Sequence, residues 1–175
     1  MTLTLAPLPS LKTDRLILRP QEDVDAPALF AILNDDRAMR FWNRSTIARL
    51  AVVEELVREQ QAAMAEGQCC YWTLIQSDEA IGSIDLSLIE AGSAELGFLL
   101  RPDRWGRGLA SEAVGAVVAH ALGPLALTRL AAAVQTANRA AARVLEKNGF
   151  VCVAERRAAI SSGELRDCAF YRLSR

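Results

Sequence analysis

Between positions 101 and 113 the chain reads Arg101-Pro102-Asp103-Arg104-Trp105-Gly106-Arg107-Gly108-Leu109-Ala110-Ser111-Glu112-Ala113, and this segment constrains the fold more than any other. The run before it, 94–100, has strand character, and apolar residues after it recur at helical spacing, so two glycines sit where a strand hands over to a helix. Gly106 and Gly108 carry no Cβ and accept positive φ. Successive N–H groups can therefore converge on one anion at the positive end of the helix dipole. Arg104 and Arg107 are expected to add charge there. Taken by itself, the segment also reads as a tight connection with two solvated arginines.

The second half of the pattern is Asn138-Arg139-Ala140-Ala141-Ala142-Arg143-Val144-Leu145-Glu146-Lys147-Asn148-Gly149-Phe150. The wording W-G-R-G-L-A-S-E-A followed by N-x-x-A-x-x-V-L-E-K-N-G-F resembles the acyl-coenzyme A site of the GNAT N-acetyltransferase superfamily and is similar to its RimJ/RimL branch. Thr13-Asp14-Arg15-Leu16-Ile17-Leu18-Arg19-Pro20 and Arg166-Asp167-Cys168-Ala169-Phe170-Tyr171 also fit that branch. The family's pyrophosphate loop, Q/R-x-x-G-x-G/A, falls on Trp105, Gly108 and Ala110, so Trp105 replaces the usual Gln or Arg.

The resemblance implies a division of labour. Main-chain amides of the loop Trp105, Gly106, Arg107, Gly108, Leu109, Ala110 and Ser111 would hold the pyrophosphate of acetyl-CoA. The preceding stretch Phe98, Leu99 and Leu100 would pair with pantetheine, an amide near Leu100 polarising the thioester carbonyl. Asn138 would cap the next helix and reach pantetheine or a water. Glu95, on the strand beside the thioester, is the expected base, directly or through water; a solvated strand residue is the alternative. An α-amine of pKa near ~8 needs little help from it, a lysine near ~10.4 more. The positions where relatives carry an acid, Ser or Tyr, fall on Ala141 and Leu145, which cannot donate a proton. A thiol of pKa ~8.5 leaves as its anion without much help.

Other residues carry weaker expectations. Glu22, Asp23, Asp25, Asp35 and Asp36 flank the first helix and read as a solvated acidic face. Phe41, Trp42, Tyr71 and Trp72 line an acceptor groove or pack a core. His120 falls late in the glycine-loop helix, away from the reaction centre. Arg139, Arg143, Arg156 and Arg157 are within the range of a 3′-phosphate or form a solvated basic face.

At 175 residues, the length suits one domain, expected over 1–175. A net charge of -1, with 51% hydrophobic and 23% charged residues, excludes disorder and a nucleic-acid footprint. Cys69, Cys70, Cys152 and Cys168 include no C-x-x-C and meet a single histidine, so no metal-site spacing exists. They read as small apolar residues in a reducing compartment. Residues 1–7 lack a basic leader region, and no run approaches the ~20 apolar residues that span a bilayer. A cytoplasmic protein with no membrane partner is expected, and the resemblance allows a homodimer.

Periodicity predicts a strand at 16–19, a helix over 24–34 capped by Asp23, and a second helix over 46–66. Strands follow at 69–75, 80–88 and 94–100, then a helix over 107–122, a strand at 129–134 and a helix over 138–147. Strands at 150–156 and 168–173 close the chain around the turn Ser161-Ser162-Gly163-Glu164. The order β-α-α-β-β-β-α-β-α-β-β describes an α+β fold with a mixed sheet, which the GNAT resemblance also implies. Gly106–Ser111 spells G-x-G-x-x-S, but it follows a meander and lacks both a third glycine and a ribose-binding acid, so a dinucleotide fold is rejected. The function that follows is direct transfer of an acetyl group from acetyl-CoA to a primary amine, a protein N-terminal α-amine or a small molecule. A non-catalytic acyl-CoA-binding protein of the same fold is the alternative.

Overall fold

The computed structural model describes residues 7–160 and 163–175; Ser161 and Ser162 of the expected turn lie outside them. Eight strands, β1 Leu11–Lys12, β2 Ile17–Pro20, β3 Cys70–Gln76, β4 Glu79–Glu90, β5 Ser93–Leu100, β6 Arg129–Gln135, β7 Val151–Ala159 and β8 Leu165–Ser174, form one sheet. Its order is β1-β2-β3-β4-β5-β6-β8-β7. Every neighbouring pair is antiparallel except β5 and β6. The helices are α1 Ala26–Leu33, α2 Asp36–Met39, α3 Leu50–Ala65, α4 Leu109–Leu122 and α5 Arg139–Lys147. The mixed sheet and the order of elements agree with the sequence reading, with β1 and α2 added.

The differences lie at helix ends. Asp23 does not cap α1: residues Asp23–Asp25 make a 3₁₀ turn, and Asp25 folds back to accept from the Glu22 amide at 2.9 Å. Asp35, expected as part of a solvated acidic face, starts α2, its Oδ1 accepting from the Arg37 amide at 2.8 Å. Helix α3 begins at Leu50 because the chain before it runs extended, the Ile47 amide donating to the Leu33 carbonyl at 2.9 Å. Helix α4 begins at Leu109 rather than 107, since Gly108 has φ 77, which no helix accommodates.

Strand alternation sorts the central side chains onto two faces. Ile84, Leu86, Ala94 and Leu96 pack with Trp72 against α4 and α5, whose Val114, Val117 and Leu145 are fully enclosed. Burial of each such side chain contributes about 1.5–3 kcal/mol. On the opposite face, Leu99 joins α1 and α3 through Leu29, Ile32, Val53 and Val57. Ser83, Asp85 and Ser87 of β4 and Glu95 and Gly97 of β5 share that second face, aligned by the pairs Asp85↔Gly97 and Ser87↔Glu95.

One irregularity positions the site. Strand β5 pairs with β6 only from Ser93 to Glu95, opposite Arg129 to Ala131. Beyond Glu95, β5 keeps to β4 as far as Leu100, while β6 keeps to β8 as far as Gln135. The two parallel strands therefore part, leaving two facing edges of unpaired main chain.

Candidate active site

The parted edges open into a cleft of about 1350 Å³. Single small-ligand pockets run to roughly 300–1,000 Å³, so this one has room for two reactants. The direction of the free edge follows from alternation. The Arg101 amide donates to Ile81 of β4 at 2.8 Å, so odd positions face β4, whereas the Leu100 carbonyl faces away and accepts from the Trp105 indole N–H at 2.8 Å. The amides of Phe98 and Leu100 therefore point into the cleft. Leu99 instead turns its carbonyl to β4, so close to Gly82 that a Cβ there would lie 2.3 Å from it.

At the end of β5 the glycine loop closes over the start of α4. Gly106 and Gly108 have φ 73 and 77, and both line the cleft. The Glu112 amide donates to the Gly108 carbonyl at 3.1 Å, the first helical bond, so the amides of Leu109, Ala110 and Ser111 have no helix partner. Orphan amides at a helix N-terminus suit an anion. Trp105 is half exposed, and its indole ties the loop to the strand end.

Arg104 departs from expectation. Its guanidinium pairs with Glu79 and donates to Gln76 at 3.3 Å, so its charge is spent on the β3–β4 hairpin. Arg15, from the early Thr13-Asp14-Arg15-Leu16 segment, holds the loop instead, donating to the Arg107 carbonyl at 2.8 Å. Ser111 is also engaged, its hydroxyl oxygen accepting from Asn148 Nδ2 at 3.1 Å. Of the expected basic residues, Arg143 lines the cleft, and Lys147, which sequence reasoning missed, joins it one turn along α5. Arg156 lies over the Phe170 ring at 4.4 Å, Arg157 sits 3.9 Å from Asp167, and Arg139 is not on the cleft wall.

Asn138 caps α5, its Oδ1 accepting from the Ala141 amide at 3.2 Å, and it lines the cleft. Ala141 lines it too, presenting a methyl at the position where the family resemblance implies a proton donor.

The opposite half of the cleft is walled by Phe41, Trp42 and Tyr71. Trp72 is not part of it: it is fully buried on the other face, its indole donating to Pro9 at 2.9 Å and its ring edge-on to His120 at 5.8 Å. Nor is Asp25 a solvated acid. It is 2% exposed, held by Arg19 at 2.6 Å and by the Thr73 hydroxyl at 2.6 Å, so it fastens α1 to the sheet. Cys69, Cys70 and Cys168 are buried as expected of apolar thiols, whereas Cys152 is exposed on the edge strand β7. Among the described residues no three His, Cys, Asp or Glu side chains gather to hold a metal.

Glu95 lines the cleft where the strands part, and so does Asp85, which sequence reasoning passed over. Burial, reinforced by the charge of Glu95 and opposed by the Ser87 hydroxyl, pushes the Asp85 carboxyl up to about 7. A signal existed: in Ser83-Ile84-Asp85-Leu86-Ser87 polar residues alternate with apolar ones in a strand that the meander places at the centre of the sheet.

The Acetyltransferase (GNAT) domain family matches residues 15–151. The chain belongs to the GNAT acetyltransferases. YoaA of Bacillus subtilis, an uncharacterized N-acetyltransferase, is 34% identical over 146 residues, 81% of this chain and 82% of its own. Solved structures of other acetyltransferases share the fold. A RimL ribosomal L7/L12 alpha-N-protein acetyltransferase in complex with coenzyme A superposes with TM-score 0.85 at 18% identity, covering 95% of this chain and 98% of that one. Spermidine N-acetyltransferase from Vibrio cholerae, in complex with CoA and spermine, gives 0.82 at 20%, covering 93% and 96%. The acetyltransferase accordingly takes acetyl-CoA as its donor and an amine as its acceptor. Nothing in these relatives supports the non-catalytic alternative.

Proposed function

We propose that this acetyltransferase acts on a primary amine held between α1, α3 and the polar face of β4 and β5, by direct transfer in a ternary complex, in the manner of the RimJ/RimL branch. The observation that carries the reading is the splay beyond Glu95, which leaves the Phe98 and Leu100 amides free beside the glycine loop. In this assignment Phe98, Leu99 and Leu100 take pantetheine, the Leu100 amide polarises the thioester carbonyl, and Asn138 orients pantetheine or a water. The loop from Trp105 to Ser111 takes the pyrophosphate, and Arg143 and Lys147 add charge for the remaining phosphate. Glu95 receives the acceptor as its ammonium and begins its deprotonation.

Alignment of the two reactants contributes roughly 7–11 kcal/mol, and polarisation of the carbonyl adds to it. No side chain at Ala141 or Leu145 supplies a proton, so the thiolate departs unaided or takes a proton from the amine. A peptide α-amine and a small polyamine both fit a carboxylate-floored chamber walled by aromatics. The same reading has a single domain in the cytoplasm. Burial pushes the Cys69 thiol up to about 11 and Cys70 up to about 12, which keeps both inert. Among the described residues no helix is long and apolar enough to cross a membrane. The exposed Val151 and Val153 of edge strand β7 are compatible with a homodimer.

Titration calorimetry with acetyl-CoA tests the donor site. Wild type is expected to bind in the micromolar range, Gly108→Glu to lose binding, and the fold-neutral Arg143→Glu/Lys147→Glu variant to weaken it at least tenfold. Wild-type strength in both variants would overturn the assignment.

A further inference from the structure

Two other carboxylates set into the fold have partners that explain them. Asp25 has Arg19 and Thr73, and Glu112 has Arg15 and Thr13. Asp85 has neither a cation nor a main-chain donor among the described residues. Its neighbours are Tyr71 of β3, Cys69 just before that strand, Ser87 of β4 and Glu95 of β5, none of them basic. Of the cations on the cleft wall, Arg37 is paired with Asp35 and Arg104 with Glu79, and none of the basic residues contributes to the balance at Asp85. Leaving a carboxylate half-buried without a cation costs stability, a cost that active sites characteristically carry.

Position 97 directs that carboxylate. Asp85 faces Gly97 across the β4–β5 ladder, and a Cβ at 97 would lie 2.7 Å from Asp85 Oδ1. With no side chain there, the carboxylate lies across β5 toward the parted edge. Glu95 is the next residue on the same face of β5.

We propose that Asp85 is a second catalytic carboxylate, paired with Glu95, and that it receives the proton the acceptor amine must lose. The assignment rests on the acetyltransferase reading of the cleft and deepens it. The acceptor arrives as an alkylammonium, attracted by two acidic groups. One N–H bond breaks and its proton passes to Asp85, directly or through Glu95. The freed lone pair forms the N–C bond to the acetyl carbon, and the C–S bonding pair leaves with the coenzyme A sulfur. The second N–H proton goes to that thiolate, and Asp85 returns its own to solvent. Ammonium and thioester thus become amide, thiol and one proton. An ordinary aspartate at ~3.9 is about four pKa units weaker than an α-amine, whereas one poised near neutrality is about one unit weaker.

The test combines carboxyl ¹³C NMR of aspartate-labelled protein with kinetics and calorimetry on wild type, Asp85→Asn, Glu95→Gln and Gly97→Ala. A resonance absent from Asp85→Asn is expected to titrate near 7 in wild type and lower in Glu95→Gln, because removing the neighbouring negative charge favours ionisation. With acetyl-CoA and a panel of spermidine and a serine-initiated peptide, Asp85→Asn should lower kcat about 10²–10⁴-fold. It should also erase the rise of kcat with pH through neutrality and leave acetyl-CoA binding unchanged. Gly97→Ala, which keeps both carboxylates but displaces Asp85, should lower kcat without the loss of titration. An Asp85 midpoint near 4, or wild-type turnover and pH profile in Asp85→Asn, overturns the assignment alone. Acetyl-CoA binding without turnover of any amine by wild type overturns the transfer reading with it.

Discussion

Arg15 and Glu112, 97 positions apart, are joined by both main chain and side chain. The Arg15 amide donates to Glu112 Oε1 at 2.8 Å, and Arg15 Nε donates to Oε2 at 2.7 Å. Burial alone would raise the Glu112 carboxyl. The Thr13 hydroxyl, the Arg15 amide and the Arg15 guanidinium outweigh it and hold the group below the usual carboxylate range. Because Arg15 also donates to the Arg107 carbonyl, the N-terminal strand region clamps the glycine loop to the first turn of α4.

Arg15→Ala should therefore weaken acetyl-CoA binding about tenfold while costing only about 1 kcal/mol of stability, since its side chain is half exposed. Calorimetric titration and urea unfolding measure the two separately. A loss of stability without a change in affinity would show that the clamp does not reach the loop.

Gly82→Ala should be among the most damaging small substitutions. The added Cβ would meet the Leu99 carbonyl at 2.3 Å and the Leu100 Cα at 3.1 Å, both backbone, so β5 must move at its splayed end. Overpacking of this kind costs about 1–3 kcal/mol. Chemical denaturation should show that loss, with weaker acetyl-CoA binding in the folded fraction.

Asn148 links the end of α5 to the start of α4. Its Nδ2 donates to the Val144 carbonyl at 2.8 Å, the Ser111 carbonyl at 3.2 Å and the Ser111 hydroxyl at 3.1 Å. Asn148→Ala is expected to cost about 2 kcal/mol in urea unfolding. Asn148→Asp, which exchanges the donor for an acceptor, should do no better.

His120 gives stability a dependence on pH. It is buried beside Trp72, its Nε2 has no partner among the described residues, and burial lowers its pKa below the ordinary value of ~6.5. The unfolded chain takes up the proton first, so stability is full above about 6.5 and falls as pH drops through that value toward the folded pKa. Thermal unfolding of wild type should show this decline below neutrality. His120→Phe should flatten it and leave the Tm near pH 7.5 equal or higher, because it removes an unsatisfied nitrogen. An unchanged slope would assign the acid loss to other groups.

Much of this site was legible before any coordinates. Gly108 at the start of a helix, Asn138 as an N-cap and Glu95 on the preceding strand all follow from local rules about φ, capping and alternation. Arg104 misled because a sequence shows which charges lie near a turn, while Glu79 and Gln76 compete for that guanidinium from a hairpin far away in the chain. Lys147 escaped notice because membership of the cleft wall depends on how α5 is rotated against the sheet. Asp85 escaped for a related reason: an alternating strand normally turns its polar residues to open water, and only the helices α1 and α3 packed beside that face make it the wall of a cleft.

The sequence by itself determined the elements and the glycine loop, since helix starts, positive-φ glycines and apolar periods are properties of neighbouring residues. The tertiary structure alone decided where β5 leaves β6, which arginines the loop and the hairpins claim, and that Asp85 meets no cation among the described residues. Those outcomes depend on competition for hydrogen bonds and solvent between residues tens of positions apart, and local pattern does not encode that competition.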